Sequence, residues 1–454
     1  MSENKIERNE ITEGIIWKQL LIFFFPIMLG TLVQQLYTTV DTIIVGRFVG
    51  KAALASVGGP AAVLANIVVT FFNGLANGAA VIIAQYYGAK DREKLHTGLH
   101  TAYTFSIVVS VIVTTLGTLL TPWFLRIMNT PEDMMPSSTV YLRIYFMGII
   151  FTLIYNMGSA IMRAAGDSRR PLIYLMVCSV INIVLDMFMV IVLHMGIAGA
   201  AIATVISQCV SAALVTYSLT RAYDAMKLRF SQLRMNMNML GSELRIGIPG
   251  ALQACAYGIT NIIIQSVVNS FGTDTAAGWA AYGKLDMVFW TVASALGAAV
   301  TTFAGQNYGA GKIDRVYKSI RVNIGISYLF DGVILLVLFV FCEPMYHLFT
   351  TDANVISIGV YMLRFLVPSY LISILLENLS GGLRGMGDVF WPTIFTFAGL
   401  FLVRLPWILI VTAKYHTIKV LLTSYPLAWG GTLICLIPYY FWRKKQHLTK
   451  ATKS

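Results

Sequence analysis

The chain has 454 residues, of which 57% are hydrophobic and 12% are charged, and its formal net charge at pH 7 is +12. A soluble domain usually carries about twice that charged fraction, so the composition excludes an ordinary soluble protein. Apolar stretches of about 20 or more residues recur between short polar connections, which is typical of a helical membrane protein with many spans. A net positive charge can indicate a nucleic-acid partner, but only if the basic residues are grouped accordingly.

Taken in chain order, the apolar runs predict twelve membrane-spanning helices. The first 14 residues are polar, and the apolar run that begins at Ile15 is too long for the core of a cleavable signal peptide. The five cysteines stand singly and form no metal-ligand spacing, so we interpret them as small core residues. The predicted spans cover residues 15–46, 52–87, 97–122, 138–162, 171–194, 197–220, 243–270, 276–308, 316–342, 355–383, 391–412 and 418–442.

The basic residues are distributed unevenly along the chain. Most of the 33 Lys and Arg residues lie in alternate connections and in the two terminal segments, and the opposite connections hold few. This is the pattern of the positive-inside rule. It predicts a multi-pass protein of the cell membrane with both termini in the cytoplasm, and it gives no support to a nucleic-acid partner.

Two sequence blocks occur twice at one spacing. Residues 163–171 (RAAGDSRRP) return 221 residues later as 384–392 (RGMGDVFWP), and residues 85–89 return as 306–310. The chain is therefore a duplication of two six-span repeats that enter the membrane in the same orientation. In both blocks, Asp167 and Asp388 precede a proline by four residues, which predicts a helix entry with the Asp near the cap. The predicted domains are a cytoplasmic tail (1–14), an N-lobe (15–220), a cytoplasmic linker (221–242), a C-lobe (243–442) and a basic cytoplasmic tail (443–454).

Polar side chains inside the apolar spans are the candidates for function. A carboxylate in the bilayer core is costly, so Asp41 and Asp186 are functional candidates. Asp41 shares a helix face with Gln34 and Thr38, Asp186 shares one with Asn182, and Thr204 lies in the sixth span. Two carboxylates, an amide and a hydroxyl would suit a cation, because hard cations take oxygen ligands, or a shared proton.

Other polar groups leave alternatives open. A stripe on the second span either lines a water-filled cavity or forms a hydrogen-bonded seam between helices. The charges of the second half are either buried ion pairs or functional groups. Pro26 and Pro249 bend the first helix of each repeat, and Pro26 is either a hinge or a static bend. The stripe is Asn66, Thr70, Asn73 and Asn77; the second-half charges are Lys284, Asp286, Asp331, Glu377 and Arg404; the candidate substrate cavity is Gln34, Thr38, Asn66, Asn73, Gln253, Tyr257 and Glu377.

Several of these segments together resemble a known family. Residues 34–46 (QQLYTTVDTIIVG) are similar to the first-span motif of MATE (multidrug and toxic compound extrusion) transporters, and residues 85–89, 199–204 and 383–388 also resemble segments of that family. The resemblance covers essentially the whole chain. It implies a drug/cation antiporter whose two six-helix lobes form a V around a central cavity.

The resemblance also implies roles for individual residues. In prokaryotic members, an N-lobe site couples transport to H⁺ or Na⁺, and its residue pattern is met here by Asp41, Asn182, Asp186 and Thr204. Members with a C-lobe cation site have a Glu in the seventh span and an Asp early in the tenth. Here the seventh span has Gln253 and Tyr257, and Glu377 lies about one turn from the expected place, so a C-lobe sodium site is not expected.

We therefore expect a secondary active exporter that exchanges cationic or amphipathic small molecules for H⁺ or Na⁺ by alternating access. Such a protein would confer multidrug efflux and antibiotic resistance as a monomer in the bilayer, with no cofactor besides the coupling ion. The alternative is a lipid-linked oligosaccharide flippase of the same superfamily, which the acidic first half disfavours. An intramembrane enzyme such as a prenyl transferase would need paired Asp-rich magnesium motifs, and the sequence has none.

Overall fold

The structure is a computed structural model that describes residues 10–50, 53, 58–222 and 224–451. Within these residues it is built from helices and contains no strand. Twelve helices are long and apolar enough to span a membrane: α1 (Ile16–Val49), α2 (Ala61–Ala89), α3 (Arg92–Ile127), α4 (Met135–Ala164), α5 (Arg169–Val192), α6 (Gly196–Thr220), α7 (Met237–Ser270), α8 (Thr273–Gly309), α9 (Ile313–Val340), α10 (Ala353–Gly385), α11 (Phe390–Tyr415) and α12 (Ile418–Thr449).

The predicted all-helical, twelve-span fold is confirmed. The second helix is described from Pro60 onward, and most of the predicted start of that span, like residues 1–9 and 452–454 of the predicted tails, lies outside the described residues. The last helix continues through much of the predicted C-terminal tail and ends at Ala451. A 3₁₀ turn at Val367–Ser369, which contains Pro368, interrupts α10.

Four stretches of π-helix lie inside the spans. Val45–Val49 ends α1, Met187–Val192 ends α5, and Ala398–Arg404 and Trp407–Thr412 lie in α11. The repeat offset relates the stretch in α5 to the second stretch in α11. Because π-turns are frequent at functional sites, their places in α1, α5 and α11 direct attention to the side chains beside them.

The chain folds into two compact units. The N unit is Phe25–Ala251, and the C unit consists of the described residues of Met1–Phe24 and Leu252–Ser454. Helices α1 and α7 therefore each pass from one unit into the other, and the helices continue without interruption through Pro26 and Pro249 close to those points. The units are defined by packing and the predicted lobes by sequence repeats, so the lobe boundaries stay a prediction.

Small residues set the packing of the N unit. A Cβ added to Gly158 of α4 would lie 2.8 Å from Val215 of α6, and one added to Gly117 of α3 would meet the ring of Phe146 at 2.5 Å. Residues Ala200, Ala201 and Ala203 of the small-residue run in α6 are almost fully buried. Small side chains thus allow the helices to approach closely, as expected for a membrane bundle.

The closest helix crossing in the N unit joins α2 to the beginning of α7. A Cβ added to Gly74 would lie 2.6 Å from the backbone nitrogen of Ala251, and one added to Gly78 would lie 2.6 Å from the carbonyl oxygen of Glu243. Backbone meets backbone at this crossing, so Gly78 faces the main chain of Gly247 without any side chain between them.

The C unit packs around aromatic side chains. Phe289 and Tyr317 belong to a core that α8, α9, α10 and α12 share, and both are almost fully buried. The beginning of α1 joins this unit, because Phe23 packs edge-on against Phe303 at 6.2 Å between ring centroids. Phe24 lies 5.7 Å from Phe330 of α9 in the same way.

The segment before α1 is fastened to the C unit. Residues Glu10–Glu13 form one turn of helix, and the guanidinium group of Arg315 donates to the carbonyl oxygens of Ile11 and Gly14. Lys312 Nζ donates to the carbonyl oxygen of Thr12 at 3.0 Å. The turn between α8 and α9 therefore holds the chain by its main-chain carbonyls just before it enters the first span.

The repeated block forms two similar turns with different acids. Gly166 and Gly387 have φ values of 95° and 84°, a conformation that favours glycine. Asp167 accepts from the backbone N–H groups of Arg169 and Arg170, so the predicted cap is confirmed there. The same prediction is wrong for Asp388, whose Oδ2 instead accepts from Tyr439 and Arg443 of α12.

Candidate coupling site

Three helices of the N unit carry the predicted coupling residues. Asp41 lies near the end of α1, Asn182 and Asp186 lie on one face of α5, and Thr204 lies in α6. Asn182 and Asp186 are both 0% exposed. The structure joins two of these helices directly, because Asn182 Nδ2 donates to Thr204 Oγ1 at 3.4 Å. Thr204 in turn donates to the carbonyl oxygen of Ala200 at 3.1 Å.

The two acids of this site interact electrostatically with each other. Among the described residues, however, no donor reaches the buried atoms Asp41 Oδ1, Asn182 Oδ1 or either carboxylate oxygen of Asp186. The site therefore has four buried acceptor oxygens and no donor for them. Because a buried polar atom without a partner is costly, such a site is complete only when something positive, or a proton, is added.

The local helix geometry presents these acids. A π-helical stretch begins four residues after Asp41, and another begins directly after Asp186. The two stretches contact each other through a small apolar cluster that includes Val45 and Val190. The sequence did not predict these distortions, since a π-turn leaves no signal in the apolar pattern.

Tyrosines that the sequence analysis missed stand around the site. Tyr37 and Tyr141 both interact electrostatically with Asp41, and Tyr141 also does so with Asp186. The ring of Tyr145 stacks near that of Tyr141, with 6.3 Å between centroids. A signal was present: Tyr37 precedes Asp41 by one helical turn and so shares its face.

The candidate cavity residues of the N unit are exposed. Gln34, Thr38, Asn66 and Asn73 all have exposed side chains, and Thr38 donates to the backbone of its own helix at Gln34. No hydrogen bond links the described asparagines of the α2 stripe to another helix, so the hydrogen-bonded seam is not what the structure shows. The exposed stripe leaves the cavity wall as the interpretation to test.

The candidate cavity residues of the C unit are half-buried. Gln253 and Tyr257 lie on α7 and Glu377 on α10, and the last two interact electrostatically. Glu377 Oε2 would lie 3.8 Å from a Cβ added to Gly297 of α8. The structure thus brings Tyr257 and Glu377 into one neighbourhood.

The predicted ion pairs of the second half are not found among the described residues. Asp286 accepts a hydrogen bond from Tyr370, whose hydroxyl also contacts that of Tyr282. Asp331 is 1% exposed and neither of its oxygens has a partner, and Lys284 is exposed. The ion-pair interpretation is wrong because the nearest donors to these groups are tyrosine hydroxyls or absent.

The acids do not gather into a larger cluster. Within the described parts of the chain, no group of three or more His, Cys, Asp and Glu side chains could hold a metal ion. The N-unit site has two carboxylates, one amide oxygen and one hydroxyl, a donor set that suits a single positive charge.

Comparisons with known proteins agree with this geometry. The sequence profile of the MatE family matches residues 26–188 and again residues 249–410. This chain belongs to the MATE family. The two matches of one profile also confirm the duplication, since each covers one repeat.

Relatives within the MATE family extend over the whole chain. A probable multidrug resistance protein of Bacillus subtilis, YoeA, is 30% identical over 98% of this chain and 98% of its own length. A probable multidrug resistance protein of Thermotoga maritima, NorM, is 27% identical over 96% and 92%. An FAD transporter of Shewanella oneidensis is 23% identical over 77% and 78%.

Solved MATE structures share the fold. The outward-facing structure of a multidrug resistance MATE transporter matches with a TM-score of 0.87 at 21% identity and covers 100% of both chains. A MATE structure in a bent conformation matches with a TM-score of 0.89 at 22% identity. The chain is therefore a multi-pass membrane protein with the architecture of a transporter family.

Proposed function

We propose that this protein is a secondary active multidrug exporter. It exchanges cationic or amphipathic small molecules for H⁺ or Na⁺ across the cell membrane, with both termini in the cytoplasm and as a monomer. The multidrug resistance names of its relatives support the efflux of drugs. The observation that carries the coupling role is the donor-poor group of buried oxygens on Asp41, Asn182 and Asp186.

The coupling follows from electrostatics. With both acids charged and no donor nearby, the N-unit site attracts a cation strongly. A proton or sodium ion that enters from outside neutralises it and weakens the hold on a bound cationic substrate, which leaves. When the coupling ion departs on the cytoplasmic side, the acids regain their charge and can bind the next substrate. Ion and substrate thus compete for one negative site.

The conformational part of the proposal concerns Pro26. Helices α1 and α7 cross from one compact unit to the other within three residues of Pro26 and Pro249. A proline removes one helix hydrogen bond and makes bending easier there. We propose that α1 bends at Pro26 when the charge of Asp41 changes. Gln34, Thr38, Asn66 and Asn73 in the N unit, and Gln253, Tyr257 and Glu377 in the C unit, would line the substrate path.

The test is efflux of a fluorescent cation from proteoliposomes under separately imposed proton and sodium gradients. Wild type is expected to respond to one of the gradients. Asp41→Asn and Asp186→Asn are expected to lose gradient-driven efflux, and Asp133→Asn, which changes an exposed acid between α3 and α4, is expected to keep it. Full gradient-driven transport by either site variant would refute the coupling assignment.

A further inference from the structure

Arg404 is the one buried cation of α11, and it has no counter-charge in the described structure. Its side chain is 3% exposed. Two of its three guanidinium nitrogens, Nε and Nη2, are buried and have no hydrogen-bond partner. None of the ion pairs among the described residues includes Arg404. An arginine cannot discharge itself by losing a proton, so this group needs an anion that the described chain does not provide.

The position of Arg404 mirrors that of the coupling acids. It ends a π-helical stretch and precedes the one that corresponds, at the repeat offset, to the stretch after Asp186. At that offset, Arg404 aligns with Ile183, between Asn182 and Asp186. Where the first repeat carries acceptors without donors, the second therefore carries donors without acceptors.

The guanidinium group is held in place rather than left loose. It lies over the ring of Tyr425 on α12, 3.8 Å from the ring centroid. Three residues after Arg404, Trp407 Nε1 donates to the carbonyl oxygen of Val420 at 2.8 Å and fastens α11 to α12. A planar guanidinium fixed in this way is suited to bidentate contact with a carboxylate or phosphate.

Aromatic rings extend from this position through the C unit. Tyr425 is 5.6 Å from Trp429 and 6.4 Å from Trp279, measured between ring centroids. Trp429 continues the series to Trp290 at 6.3 Å. Tyr425 itself is only half-buried, so a flat ring could stack beside a group that the arginine binds.

We propose that Arg404 and Tyr425 form a subsite for the anionic group of a planar aromatic substrate, in particular a carboxylate. The subsite extends the substrate range of the exporter to aromatic acids and zwitterions. As a transport subsite it rests on the proposed function, but the binding it describes requires neither an ion gradient nor Asp41.

The test is equilibrium dialysis of 2-naphthoate and of neutral 2-naphthamide against the full chain in nanodiscs of neutral lipid, with empty nanodiscs as the blank. Wild type is expected to bind the acid more tightly than the amide. Arg404→Gln is expected to weaken binding of the acid by about tenfold or more and to change binding of the amide by less than about twofold. Arg404→Lys, which keeps the charge but loses the fork, is expected to fall in between.

Controls separate this idea from its rivals. Arg364→Gln removes an exposed arginine of the same unit and is expected to bind like wild type, as is Asp41→Asn, whose failure in transport would concern the coupling site alone. If Arg404→Gln is not monodisperse, Arg404→Lys and Tyr425→Leu provide the comparison. Equal binding of acid and amide by wild type, or an equal loss of both in the variant, would overturn the proposal. So would displacement of the acid by anionic lipid added to the nanodiscs, because the ligand would then be a headgroup phosphate.

Discussion

Replacing Gly78 by alanine tests whether α2 and α7 cross as closely as the structure shows. The added Cβ would lie 2.6 Å from the carbonyl oxygen of Glu243, whereas ordinary contact begins at 3.4 Å. The helices must therefore separate by about 0.8 Å or distort locally, because the obstructing atoms belong to the main chain and have no rotamer to change. Overpacking of this kind costs about 1–3 kcal/mol.

The control for Gly78→Ala is Gly325→Ala, on the exposed face of α9, where an added Cβ meets nothing within 4 Å. That variant alone shows the gain from reduced backbone freedom, about 0.5–1 kcal/mol. The Tm of Gly78→Ala is expected to lie about 2–12 °C below that of Gly325→Ala, at roughly 2–4 °C per kcal/mol for a unit of this size. The measurement is thermal unfolding of both purified variants in one detergent. Equal Tm values would refute the close crossing.

Two further predictions concern the connections between spans. Asp388→Asn weakens two hydrogen bonds of a partly buried carboxylate, to Tyr439 at 2.6 Å and Arg443 at 2.7 Å, and is expected to destabilise by about 1–3 kcal/mol. Its repeat counterpart Asp167→Asn keeps a capping oxygen and loses only an exposed ion pair, which is worth about 1 kcal/mol or less; similar Tm values for the two would contradict this. Arg315→Gln is expected to release the segment before α1, so that a glutamyl endopeptidase cleaves after Glu13 faster than in wild type. Arg321→Gln, an exposed change on the same helix, is the control, and equal cleavage rates in both would show that Arg315 does not hold the segment.

The sequence was sufficient for the features that depend on long stretches of similar residues. The twelve spans were predicted because apolar runs of that length leave no alternative to a helix in a bilayer. Asp41, Asn182, Asp186 and Thr204 were selected because polar atoms in such runs are rare. The spacing of Asn182 and Asp186 placed them on one face, and the structure shows both fully buried there.

The features that the sequence missed depend on contacts between distant segments. The Asp388 turn resembles the Asp167 turn in sequence, but only Asp388 finds an arginine and a tyrosine on α12. Asp286 lies two residues from Lys284, yet its partner is Tyr370, a residue 84 positions away. Neither partner follows from spacing along one helix, because both are set by how separate helices pack.

The exchange of helix segments between the two units has a consequence for biosynthesis. The beginning of α1 packs on Phe303 and Phe330, which leave the ribosome almost three hundred residues later. During synthesis, the first segment must therefore wait in the bilayer without its partners, and the Gly74–Gly78 face of α2 must wait for α7. Neither half of the chain can complete its own packing when it is made alone, so the duplicated gene encodes two repeats that have become obligate folding partners.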